Sequence, residues 1–163
     1  MLLSLILAGC LCFPQATEAC GSRPVVLATE ALVLSEAQPA RRVQLPANAR
    51  SGSLPFLEVP ILEISNPEKM GFSIQVYLER TRSTASEGDT ERVLLGTFTP
   101  YPPDQAGSFL LRASKGFDKL KETRANTAED RVNLLLEVKR LHPNKPWTPL
   151  VVKIAPIRWR AEL

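Results

Sequence analysis

The stretch Gly71-Phe72-Ser73-Ile74-Gln75-Val76-Tyr77-Leu78-Glu79 alternates without a break. Phe72, Ile74, Val76 and Leu78 fall on one side, and Ser73, Gln75, Tyr77 and Glu79 on the other. Successive side chains of a β-strand point to opposite faces. A period of two therefore describes a strand with one face in a core and the other in water. A second stretch reads the same way. Val132, Leu134, Leu136 and Val138 alternate with Asn133, Leu135, Glu137 and Lys139.

Outward from these two strands, residues 24–34, 41–45, 56–64, 92–99, 107–113 and 150–159 are short apolar runs bounded by Pro, Gly, Asn and Asp. Each reads as a strand. Pro60 inside 56–64 predicts an edge position or a bulge, because its nitrogen carries no proton for a ladder. Residues 47–53 and 80–91 read as exposed loops, and Pro100-Tyr101-Pro102-Pro103-Asp104 cannot form a central strand. Residues 115–124 predict one or two helical turns that bury Phe117 and Leu120. That is too short for a crossover between parallel strands. The expected fold is all-β: an antiparallel β-sandwich of about seven or eight strands with one short helix. A chain of 163 residues, 44% hydrophobic and with fourteen Pro, suits one such domain and a short leader.

The amino end reads as an address. Residues 1–13 are almost continuously apolar, too short to cross a bilayer as a helix but suited to the h-region of a secretory signal. No Lys or Arg precedes the run. Leu7-Ala8-Gly9-Cys10 resembles the bacterial lipobox, in which the cysteine thiol takes a diacylglyceryl group. Cleavage before Cys10 would leave a membrane-anchored lipoprotein of the cell envelope. Cleavage after Ala19 would instead release a secreted or periplasmic protein. The leader is thus 1–19 and the domain 20–163. All three cysteines, Cys10, Cys12 and Cys20, lie at this end, so the domain is not a disulfide scaffold.

The body offers little for catalysis. His142 is the only histidine, which excludes a multi-histidine metal centre, and its Leu141-His142-Pro143-Asn144 context reads as an exposed turn. No phosphate loop or nucleophile elbow is present, and Glu129 with Asp130 reads as a solvated pair. The expectation is a protein that is not an enzyme and needs no cofactor or metal. Lys and Arg number twenty against seventeen Asp and Glu, interspersed along the chain. That pattern describes a solvated surface rather than a nucleic-acid stripe. Tyr101 among its prolines and Trp147 between Pro146 and Thr148 are the candidates for binding a protein partner. In Arg158-Trp159-Arg160 the tryptophan is expected inward, with the arginines outward.

The order of segments resembles the C-terminal β-sandwich of polyphenol oxidases and tyrosinases. Ile74-Gln75-Val76-Tyr77-Leu78-Glu79 resembles that family's Lys-Phe-Asp-Val strand, although only Val76 keeps its letter. Gly96-Thr97-Phe98 or Ala106-Gly107-Ser108-Phe109 resembles its Ala-Gly-Ser-Phe segment. Leu110-Leu111, Phe117-Asp118-Lys119-Leu120 and residues 131–140 resemble its later strand, short helix and closing strand. Pro24-Val25-Val26-Leu27 resembles its opening run. The likeness spans residues 24–158. In the family this sandwich follows a dicopper domain, covers the copper site and restrains the enzyme. No copper-binding histidines accompany it here, so no ligand carries over. The resemblance implies an accessory domain that covers or regulates an exported dicopper oxidase in trans. A structural envelope lipoprotein that binds a protein or glycan, unrelated to copper, is the alternative.

Overall fold

The structure is a computed structural model, and it describes residues 25–27, 30–46, 56–81, 90–123, 131–142, 144 and 149–160. The strands in chain order are β1 (Val25–Val26), β2 (Leu32–Ser35), β3 (Ala40–Gln44), β4 (Phe56–Ser65) and β5 (Phe72–Thr81). They continue as β6 (Thr90–Phe98), β7 (Gly107–Arg112), β8 (Arg131–Arg140), β9 (Val151–Ile154) and β10 (Arg158–Arg160). One helix, α1 (Ser114–Thr123), lies between β7 and β8. The alternation in 71–79 is realised in β5, whose Phe72, Ile74, Val76 and Leu78 are all buried.

One sheet has the order β3-β8-β5-β6, antiparallel throughout. The other is built on β4. On one side β4 pairs with β7, and on the other it pairs with both β9 and β10. Ser65↔Val151 and Ile64↔Val152 in one half share a single register with Glu58↔Arg158 and Leu57↔Trp159 in the other. β9 and β10 are therefore two halves of one strand, interrupted at Ala155-Pro156-Ile157. β1 and β2 run alongside these halves, with registers that differ by two residues. Counted as long strands, four face four: β1/β2, β9/β10, β4 and β7 against β3, β8, β5 and β6. That order makes the sandwich a jelly roll.

Two expectations change here. Pro60 is in a central strand rather than at an edge. Amide and carbonyl of a strand residue point to the same side, and Pro60 O accepts from Ala155 N at 2.9 Å. Its missing donor therefore falls at the interruption around Pro156, where β4 has no regular partner. The register of β4 against β9 does shift between Ile61 and Glu63, so the bulge is one step away. The second change concerns residues 80–91. Arg80 and Thr81 belong to β5, and Thr90 and Glu91 open β6. Arg80 continues the inward face past Leu78 and is buried, with its guanidinium paired to Glu91. A long side chain can bury its stem while its head meets a carboxylate.

The topology gives the sandwich two distinct ends. Val25, Trp159, Leu57 and Leu111 form one row across the sheet, so the chain enters at the end where β7 hands over to α1. The helix closes that end. Phe117 and Leu120 are buried, and the Phe117 ring lies 5.4 Å from Trp159. A helix of this length is marginal alone, and burial of these two side chains, roughly 1.5–3 kcal/mol each, holds it. Gly116 permits the docking, since a Cβ there would lie 2.2 Å from Leu95 Cδ2. At the opposite end sit the β2–β3, β4–β5, β6–β7 and β8–β9 connections.

Candidate partner-binding loop

The β6–β7 connection carries Tyr101, and the structure shows how it is held. Phe98, the last residue of β6, stacks on Phe109 of β7 with centroids 4.2 Å apart. Pro100, two residues after Phe98, is also buried. Tyr101, by contrast, is 93% exposed. The Tyr101–Pro102 peptide is cis, and Gln105 N donates to Pro102 O at 3.1 Å to close a turn. Three prolines around the tyrosine fix their own φ angles and leave the segment few conformations to lose.

The loop is also tied to its neighbour, the β4–β5 connection. Asn66 is 5% exposed and uses its whole amide. Its Nδ2 donates to Pro103 O at 3.0 Å and to Met70 O at 2.9 Å, while Met70 N donates to Oδ1 at 3.1 Å. Lys69 N donates to Asn66 O at 3.0 Å, and Lys69 takes a φ of 49°, in the left-handed region that non-glycine residues seldom occupy. That turn aims the Lys69 ammonium at Asp104, 2.9 Å away. The hydrogen bond from Lys69 holds the Asp104 carboxyl below its usual range. A second loop thus grips the first through one buried amide and one ion pair.

The two loops meet only in three dimensions, so no local pattern in the sequence brings Asn66 and Lys69 to the Tyr101 loop. The Asn66-Pro67 dipeptide is a turn-initiating signal, and it was the available clue. A second cluster escaped for the same reason. On the outer face of the β3-β8-β5-β6 sheet, Glu79 is buried under two arginines. Arg42 Nε lies 2.6 Å from Oε2, and Arg92 Nε lies 2.7 Å from Oε1. The same hydrogen bond holds the Arg42 guanidinium above its ordinary value. With both oxygens engaged, this carboxylate ties three strands together.

The other candidates are placed as follows. Cys10 and the leader, Trp147, and the Glu129–Asp130 pair lie outside the described residues. His142 is exposed beyond the end of β8, as its turn context predicts. Trp159 is inward and 1% exposed, with Arg158 and Arg160 outward. Its indole N–H meets no hydrogen-bond partner among the described residues. Among those residues no group of three or more His, Cys, Asp and Glu side chains is arranged to hold a metal ion. No helix described is long and apolar enough to cross a membrane. No protein-family model matches this chain, and no curated protein shows significant similarity to it.

Proposed function

We propose that this chain is a non-catalytic binding domain, exported and anchored through Cys10, that engages a protein partner with the Tyr101 loop. The observation that carries this reading is a tyrosine almost wholly in water on a segment whose backbone is held from several sides. A large ring left exposed gains most when a partner's cleft covers it, and tyrosine is among the residues that dominate interface energies. Holding the loop in advance removes part of the ordering cost of binding. Position supports the same reading. The loop is at the end opposite the chain's entry at Val25, so an amino-terminal anchor leaves Tyr101 facing away from the bilayer. The resemblance to the polyphenol oxidase and tyrosinase C-terminal sandwich supplies the partner class, an exported dicopper oxidase covered or regulated in trans.

The test is crosslinking of tagged full-length protein in its own envelope fraction, followed by pull-down and mass spectrometry. The reading expects a dicopper oxidase, lost with Tyr101→Ala, and a change in that oxidase's activity when the two proteins are mixed. Recovery of envelope structural proteins alone, indifferent to copper, would replace it with a structural lipoprotein that binds protein or glycan.

A further inference from the structure

The end of the sandwich that carries α1 has a groove of its own. It runs between β6 and α1, has a volume of about 460 Å³ and is open to solvent. Val93, Leu94 and Leu95 of β6 and the bare backbone of Gly116 form its apolar side. Arg112, Lys115 and Lys119 form the other, and none of the described lining residues is a carboxylate. Leu94 is 50% exposed although it is a large apolar side chain at mid-strand. The Arg112 guanidinium lies 5.9 Å from the centroid of the Phe56 ring on β4, a cation–π contact that holds the side chain without neutralising its charge. An apolar floor beneath a cationic rim matches a ligand with anionic and apolar parts side by side.

The position of the groove decides which ligand. Arg112 is the residue after Leu111, in the row that also contains Val25, where the described chain begins. The residues between Cys10 and Val25 span at most about 50 Å when fully extended, and nearer 20 Å as a flexible coil. A bilayer holding Cys10 is therefore within reach of this end. We propose that the groove between β6 and α1 receives anionic phospholipid headgroups, with Leu94 at the interfacial level and Arg112 and Lys115 on the phosphates. The proposal rests on the anchored reading of the leader. A tethered domain rebinds the surface at high effective concentration, so a weak electrostatic contact suffices to orient it.

The experiment is co-sedimentation of full-length protein carrying Cys10→Ser, which cannot be acylated, with phosphatidylcholine vesicles that contain or lack phosphatidylglycerol. The apolar leader contributes equally to both, so the phosphatidylglycerol-dependent part is the readout. It is expected to fall about five-fold per positive charge removed, roughly 25-fold in Arg112→Gln/Lys115→Gln and further in Arg112→Glu/Lys115→Glu. Lys139→Glu/Lys153→Glu, the same charge change on other parts of the sandwich, should leave it within about two-fold. Circular dichroism checks the fold, and Arg112→Gln/Lys115→Gln replaces the double reversal should that variant unfold. Equal sedimentation with both vesicles, or equal loss in the two double variants, would overturn the proposal. So would displacement of the groove contact by soluble polyglutamate in preference to vesicles, which would assign the groove to acidic peptides. The mass of the wild-type protein extracted from membranes reports separately whether Cys10 carries a diacylglyceryl group.

Discussion

Replacing Asn66 with alanine removes three hydrogen bonds, two that close the β4–β5 turn on Met70 and one that ties this turn to Pro103 O in the Tyr101 loop. A hydrogen bond of this kind contributes about 0.5–1.5 kcal/mol net, and an unpaired buried partner costs more. Pro67 and Lys69 nearby are exposed, so water can reach part of what is uncovered. The expected loss is about 2–3 kcal/mol, a fall of about 1–2 M in the urea midpoint at unchanged slope. Amide exchange at Met70, whose N–H donates to Asn66, and at Gln105 in the loop turn should speed up together. Asn66→Asp makes the reasoning sharper. A carboxylate still accepts from Met70 N but cannot donate to the carbonyls of Met70 and Pro103, and its charge is held against them. Its folded-state pKa is raised, so its deficit relative to Asn66 shrinks as pH falls and grows as pH rises through that value. A loss below about 0.5 kcal/mol in Asn66→Ala, with Gln105 exchange unchanged, would falsify the claim that Asn66 holds the loop.

Tyr101→Ala should leave stability within about 0.5 kcal/mol while removing partner capture, because the exposed ring packs on nothing that the fold requires. The Lys69–Asp104 tie is present above the ordinary carboxylate range. It is lost as pH falls through the depressed folded value of Asp104, so proteolysis at the loop should accelerate on acidification and lose that dependence in Lys69→Met. Glu79→Gln should cost about 1–2 kcal/mol in denaturant titrations, less than a fully buried pair, because the side chains of Arg42 and Arg92 are 59% and 50% exposed and can turn to water. Trp159→Phe gives up a ring but no hydrogen bond, so a loss of roughly 1–3 kcal/mol by thermal melting is expected, from the cavity alone.

Local patterning carried the fold a long way. The period-two runs in β5 and β8 and the Phe117/Leu120 spacing in α1 are properties of adjacent residues, and each element forms within a residue or two of its expected bounds. Pairing is another matter. Pro60 reads as an edge residue because nothing in its neighbourhood reveals that Pro156 will stand across from it. Arg80 reads as a loop residue because its charge hides that it continues the inward face, where its pairing with Glu91 across the strand pair helps to compensate the buried charge. Leu135 falls on the polar side of β8 by count, yet it is buried there, with Arg42 and Tyr77 as its cross-strand neighbours. The binding loop divides in the same way. Prolines flanking a tyrosine can be seen in one dimension, whereas the Asn66 clamp joins residues whose proximity depends on two β-connections meeting at one end.

The long strands set a height. β4, β5 and β8 are each ten residues, and at about 3.3 Å per residue such a strand spans roughly 33 Å. A domain resting on its α1 end would carry Tyr101 about that far above the headgroups, as a fixed post rather than a swinging arm. Any partner cleft it enters must then open at that altitude, facing down toward the membrane. Lengthening the leader would free the post to tilt without changing a residue of the loop.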